Sequence, residues 1–341
     1  MQISFISINS AFELLFAFLL AVLVIVLSGS QLSRYGDALA IRTKIESGLI
    51  GALFLATVTS LPELAVSMSA LLREPLTIGP DLAVGNMLGS NLFNLFILGI
   101  TGLVFTQKLK QVKQSDLHQK TLLQSLLLLI IAFIAYRYPS TSLSFIHANW
   151  LLLLLPIIYL FFLKKNSIQE EEKEPQVIQL SQSNMVNEST PLFYTKLILL
   201  SLIIIGAGIF LSTLGSQMAL PVQQGGFGLQ ASFIGTLFLA LSTSLPELVI
   251  ACSCLRYGLA DMAVGNIIGS NLFNLLILCL GDLLLKENLL LNHASSNHQL
   301  SFSFIAILSL FGLLILRYPK SIRIASILIL ISYLFAMLIQ S

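Results

Sequence analysis

The sequence predicts an all-α polytopic membrane protein of ten transmembrane helices, built as two inverted five-helix repeats with Pro-interrupted helices 2 and 7. Three observations predict it. Residues of the set AVILMFWYC make up 56% of the 341 residues and charged residues 10%, where soluble domains carry ~25% charged residues. The basic residues fall on alternate sides of ten successive apolar runs. Finally, the second half of the chain repeats the first.

A membrane-spanning helix needs ~20 mostly apolar residues. The first five candidates lie at 11–31, 46–72, 82–106, 120–138 and 147–164. The second five lie at 193–215, 229–256, 262–285, 300–317 and 321–340. The first run has no basic residue before it and carries Glu13 at its start, which predicts a retained helix rather than a cleaved leader. Between the halves, residues 165–191 hold Glu170, Glu171, Glu172, Lys173, Glu174 and Pro175, the composition of a solvated linker. The expected organisation is a first repeat at 1–164, a polar linker at 165–191 and an inverted second repeat at 192–341.

Lysine and arginine set the orientation. One set of alternate loops holds fifteen of the 18, from Arg34, Arg42 and Lys44 through Lys108, Lys110, Lys164 and Arg256 to Arg317, Lys320 and Arg323. The other set holds only Arg73, Arg137 and Lys286. Both termini are therefore expected outside the cytoplasm and the linker inside it, in a cell (inner or plasma) membrane.

Thr59-Ser60-Leu61-Pro62-Glu63-Leu64 recurs as Thr243 to Leu248. Val84 to Leu98 matches Val264 to Leu278 at 12 of 15 positions, and Arg137-Tyr138-Pro139 returns 180 residues later as Arg317-Tyr318-Pro319. Five crossings per half, an odd number, invert the second half relative to the first. Inverted repeats with interrupted helices at matching places point to a transporter site near the midplane.

The first motif places Glu63 and Glu247 at membrane depth, where a charge is expensive and acids usually face a partnered interior. Proline has no N–H, so the carbonyls of Val58 and Ser242 are expected to lose their helical partners. Each copy thus offers a carbonyl, a carboxylate and two hydroxyls (Thr59 and Ser60, or Thr243 and Ser244), an all-oxygen set suited to hard cations such as calcium. In the second motif, Asn86, Ser90 and Asn94 are spaced i, i+4, i+8 on one helix face, as are Asn266, Ser270 and Asn274. Gly85 and Gly89, with Gly265 and Gly269, form small-xxx-small patches for close packing. This helix is expected to lie against the broken helix of its own half. Two carboxylates balance one divalent cation, two or three monovalent ions, or two protons.

The pattern T-S-x-P-E followed by G-N-x-x-G-S-N-x-x-N, once in each half, resembles the alpha repeats of the cation/calcium exchanger superfamily, and especially prokaryotic sodium/calcium exchangers. The resemblance implies an antiporter working by alternating access. Glu63 and Glu247 would be principal calcium ligands, with Thr59, Ser60, Thr243 and Ser244 shaping calcium and sodium sites. Ser90, Asn94, Ser270 and Asn274 match third- and eighth-helix ligands, and the carbonyls of Ala56 and Ala240 match sodium-coordinating positions. In such exchangers the first and sixth helices slide across the core; here they carry Gly29, Gly206, Gly208 and Gly215. Val58 and Ser242 stand where the family has glycine. The amide of Asn274 stands where the potassium-dependent branch has aspartate, and the extra glutamate of the proton/calcium branch is missing.

Sodium/calcium exchange is the function expected, with a proton/calcium or other divalent cation antiporter as the alternative. A cation channel fits less well, since no carbonyl filter loop is visible. An enzyme is not expected, because Asp282 is the only aspartate inside a predicted span and no histidine lies at depth. No permanently bound cofactor is expected; the ions handled are Ca2+ with Na+ or H+. The partners are those ions and the lipid bilayer, with no nucleic acid and no obligatory protein partner. Asn-Ser stripes also serve as helix–helix glue, and Arg137-Tyr138 and Arg317-Tyr318 read as interfacial anchors. Cys252, Cys254 and Cys279 read as buried small hydrophobes. His118, His147, His293 and His298 fall in or near predicted loops and carry no assigned role.

Overall fold

Apolar runs of this length become helices because a bilayer leaves backbone N–H and C=O groups no partner but each other. The computed structural model of the chain describes residues 11–73, 76, 79–112, 115–138, 142–143, 148–171, 185–218, 242–285 and 290–340. In the first half, α1 (Ala11–Thr43) is followed by α2 (Ser47–Ile50), a π-helical segment (Gly51–Leu55) and α3 (Ala56–Arg73). Then come α4 (Gly79–Val104), the short α5 (Thr106–Leu109), α6 (Ser115–Arg137) and α7 (Trp150–Glu171). A two-residue antiparallel ladder pairs Ser142 with Asn149 and Leu143 with Ala148. The second half has α8 (Thr190–Met218), α9 (Leu245–Arg256), α10 (Ala260–Leu284), a 3-10 turn (Leu290–Asn292), α11 (His298–Arg317) and α12 (Ile322–Gln340).

Among the described residues, eight stretches are long and apolar enough to cross a membrane. The fifth expected span is represented by α7, whose apolar part, Trp150–Phe162, is shorter. Of the seventh, expected at 229–256, residues 229–241 lie outside the described residues. The first expected span stops at residue 31, yet α1 continues twelve residues further, to Thr43. Its last turns carry Arg34, Asp37 and Arg42, which hydropathy alone assigns to a loop.

The two proline motifs fold differently. The α3 helix runs through Pro62, and the irregularity of this span is the π-helical segment, which ends seven residues before it. Pro246 instead stands at the start of α9, just after Ser244, whose φ of −94° and ψ of 12° leave the helical region. Proline is tolerated in a helix's first turn because the N–H it lacks would be unpaired there anyway.

Most of α4 and α10 is buried. The α3 helix packs on both, α11 and α12 cover α4, and α6 and α7 cover α10. The α1–α8 pair joins the main core through Leu32, Tyr35 and Ala38 of α1 and Phe193 and Ile204 of α8. At its other end it forms a separate apolar seam of Leu14, Ala21 and Ile25 against Leu211 and Leu214. Exposed Phe12, Phe16, Leu27, Ile198, Leu202, Ile324 and Leu338 on α1, α8 and α12 make an outer apolar surface suited to lipid.

Glycine decides where backbones meet. A methyl group on Gly265 would overlap the Gly48 carbonyl, and one on Gly269 the Ala52 carbonyl. The small-xxx-small patch of α10 therefore receives α2 and the π-helical segment of the other half.

The last linker residues are also docked rather than loose. Arg42 donates to the carbonyls of Met185 (3.1 Å) and Glu188. Tyr35 Oη and Lys196 Nζ both donate to Glu188 Oε1, at 3.2 and 2.7 Å. These contacts tie α1 to the start of α8.

Candidate cation site

Helical spacing assembles the first half-site. Thr59 and Glu63 are one turn apart on α3, with Ser60 three residues before the glutamate, so their side chains share a face. Across from them, Asn86 Nδ2 donates to the Glu63 carbonyl at 3.2 Å and to Ser67 Oγ at 2.9 Å, and Ser90 Oγ lies 3.5 Å from Glu63 Oε1. The α4 stripe thus faces the Pro-Glu helix of its own half, as expected.

The second half-site is built from a helix start. Ser244 occupies the position before α9 where a hydroxyl would ordinarily cap the first turn, but it makes no such bond. Its Oγ donates instead to Glu63 Oε1 of the other half, at 3.1 Å. Ser60 Oγ returns the contact, donating to Glu247 Oε1 at 3.2 Å. Thr59 Oγ1 lies 3.3 Å from the Ala56 carbonyl oxygen, 3.4 Å from Asn266 Oδ1 and 3.4 Å from Ser270 Oγ.

Glu63, Glu247, Thr59, Ser60, Thr243, Ser244, Ser90, Asn94, Ser270, Asn274 and Ala56 are all buried. Ala240 lies outside the described residues. The contacts above join six of these residues across the repeats; Thr243 and Asn94 are buried near them in sequence. Asn274 Nδ2 donates to Asn91 Oδ1 at 3.1 Å, a layer beyond the glutamates.

Each carboxylate keeps one oxygen without a hydrogen-bond partner, Oε2 of Glu63 and Oε2 of Glu247, and so do Asn274 Oδ1 and both amide atoms of Asn94. Among the described residues neither glutamate forms an ion pair. A buried charge without a partner is strongly destabilising, and buried polar atoms in native proteins are nearly always satisfied. Two carboxylates amid neutral hydroxyl, amide and carbonyl oxygens would be compensated by a hard cation, which takes 6–8 such ligands when it is calcium. No group of three or more His, Cys, Asp or Glu suited to a metal converges among the described residues, so the neutral oxygens must complete any such shell.

Asn91 and Asn271 were not singled out by the sequence reading. Their signal was present, since both stand inside the repeated Gly-Ser-Asn. Asp282 proves structural: it accepts the N–H groups of Asn149 (2.6 Å) and Leu290 (2.7 Å), joining the ladder and the 3-10 turn to the end of α10.

Comparison with known proteins gives concordant results. The family described as sodium/calcium exchanger protein matches residues 13–164 and 193–341. The chain is 31% identical over 265 residues to the inner membrane protein YrbG of Escherichia coli (strain K12), covering 76% of each chain. It is 27% identical over 322 residues to an uncharacterized membrane protein of Methanocaldococcus jannaschii, covering 94% of this chain and 95% of the relative. Its fold matches the sodium-calcium exchanger NCX_Mj soaked with 10 mM Na+ and zero Ca2+, with a TM-score of 0.66 and 24% identity over 95% of this chain and 98% of the other.

Proposed function

The chain belongs to the sodium/calcium exchanger protein family, and from that premise we propose that it exports calcium against sodium entry by alternating access at the Glu63–Glu247 site. The observation that carries this reading is the pair of buried glutamates, one from each half, each hydrogen-bonded by the other half's serine and each with one oxygen unpartnered. Both carboxylates balance one Ca2+. When sodium ions take the same oxygens, calcium must leave, which couples the two fluxes through competition for one set of ligands.

In this reading the ligands are Glu63, Glu247, Thr59, Ser60, Thr243, Ser244, Ser90, Asn94, Ser270 and Asn274, with the carbonyls of Ala56 and Ala240. The chain crosses the membrane ten times, with both termini outside and the linker in the cytoplasm. The α1–α8 pair is the moving body. Gly29 of α1 lies against Val249 (2.9 Å from its position for a methyl group) and Gly208 of α8 against Pro62 (2.6 Å). Side-chain-free patches at these crossings suit one helix pair passing over another.

The deciding experiment is calcium-45 uptake into proteoliposomes loaded with sodium, beside matched vesicles holding potassium, choline or an acidic interior. Uptake that requires internal sodium is expected. Uptake driven by the proton gradient alone would overturn sodium coupling and make the glutamates proton carriers. Uptake that neither saturates nor needs a counter-ion would indicate a channel.

A further inference from the structure

Two histidine–aspartate pairs lie away from the cation site, and both obey the repeat. Asp81 and Asp261 are 180 residues apart, and so are His118 and His298. The pairing crosses between the halves. His118 Nε2 lies 3.2 Å from Asp261 Oδ1, with both side chains buried. His298 Nε2 lies 2.8 Å from Asp81 Oδ1, which also accepts the Ser295 N–H at 2.7 Å.

The two pairs occupy opposite ends of the α4–α10 pair. Ser295 and the 3-10 turn follow the end of α10 and meet Asp81 at the start of α4. His118 follows the end of α4 and α5 and meets Asp261 at the start of α10. At each end an aspartate sits in the first turn of the ligand-bearing helix, beside the first turn of the helix that supplies the histidine. Its negative charge suits the positive ends of both helices.

The register is the same in both halves. Ser90 lies nine residues after Asp81, and Ser270 nine after Asp261, so each anchor sits about 14 Å along the axis from the first serine of its helix. A helix transmits axial position because its backbone is bonded turn to turn. Anchoring α4 to the second repeat and α10 to the first therefore sets how the two half-sites meet. A pairing within one repeat would only stitch a loop.

We propose that His118–Asp261 and His298–Asp81 are inter-repeat positioning pairs that hold α4 and α10 in the register at which the two halves of the cation site meet. The proposal rests on the ligand set given above. Its test measures, for the purified full chain, the half-saturating Ca2+ concentration for thermal stabilisation, the melting temperature without Ca2+, and the maximal rate and half-saturation of calcium-45 uptake. The variants are His118→Leu, His298→Leu, His118→Gln and His298→Gln.

Each leucine variant is expected to raise half-saturation about fivefold, the scale of one lost hydrogen bond, with the maximal rate much less changed. Each glutamine variant should recover to near wild type, because its amide N–H still donates to the aspartate. Leucine variants that lower only the melting temperature, or glutamines no better than leucines, overturn the proposal. Should the leucine variants not fold, Asp81→Ala and Asp261→Ala, which remove the acceptor oxygens without adding bulk, carry the same comparison: half-saturation unchanged in both overturns it. A wild-type chain that responds to Na+ but not Ca2+ overturns the calcium reading, and the pairs are then judged by the Na+ response; a chain responding to neither overturns both.

Discussion

Ser244 Oγ, from the second half, donates to Glu63 Oε1 of the first half at 3.1 Å, and Ser60 Oγ makes the reciprocal bond to Glu247 Oε1 at 3.2 Å. Each carboxylate is thus held by the opposite repeat, and its other oxygen has no hydrogen-bond partner.

Neutralising either acid removes half the charge that balances a divalent ion. Glu63→Gln and Glu247→Gln should each reduce sodium-dependent calcium-45 uptake to the level of empty vesicles. Near-normal flux in either variant would refute the central assignment.

The exchanged serines should matter individually. Ser60→Ala and Ser244→Ala each free a buried carboxylate oxygen and remove a candidate ligand, and hydrogen bonds to charged groups contribute ~1.5–3 kcal/mol. Half-saturation for calcium should rise by about tenfold or more in each. Equal affinities in wild type and both variants would show that the exchange is incidental.

Asn274 governs monovalent ions in this reading. Asn274→Asp adds a third carboxylate one layer beyond Glu63 and Glu247, and Asn91 can reverse its amide to donate to it. Sodium and potassium dependence of exchange should change more than calcium binding. Sodium and potassium profiles identical to wild type would count against this role.

Two glycines on α8 make a matched comparison. A methyl on Gly208 would lie 2.6 Å from Pro62 Cγ and 3.5 Å from Pro246 Cγ, while one on Gly206 meets nothing within 4 Å. Gly208→Ala should slow exchange severalfold, the effect of an overpacked contact costing ~1–3 kcal/mol. Gly206→Ala should transport normally and melt slightly higher, since alanine favours a helix over glycine. Equal rates in the two variants would argue that α8 does not work against Pro62.

The contact between the linker and α1 should respond to acid. The hydrogen bond from Lys196, aided by its charge and by Tyr35 and Arg42, holds the Glu188 carboxyl below the usual carboxylate range despite partial desolvation. A depressed pKa stabilises the folded state at pH values above the ordinary carboxylate pKa, and that contribution is lost as pH falls through the depressed value. Melting temperature should therefore fall more in wild type than in Glu188→Gln as the pH is taken from neutral to below the carboxylate range. Parallel curves would remove this contact from the stability of the α1–α8 pair.

Much of the candidate site was legible because its chemistry repeats. Thr-Ser-x-Pro-Glu and the Asn-Ser stripes survive twice in one chain, and intramembrane acids are conspicuous against apolar runs. The His–Asp pairs repeat as well, yet each residue alone looks like a loop position. Their meaning depends on which repeat each one meets, and spacing within a helix does not encode that. Pro62 marks a related limit. Its missing N–H is certain from sequence, but the irregular turn formed upstream, at Gly51–Leu55, where the backbone of α10 presses close.

Sequence by itself determined that the chain is a helical membrane protein with two related halves, and which oxygen-bearing side chains each half carries within its apolar runs. Apolar period, charge placement and covalent proline chemistry are local properties, carried by each segment wherever it packs. Tertiary structure alone decided that the halves exchange serines across the glutamates, that Gly265 and Gly269 admit the other half's backbone, and that histidines and aspartates anchor each repeat to its mate. Those outcomes depend on contacts between residues 143 to 217 positions apart, and only the packed chain fixes their geometry.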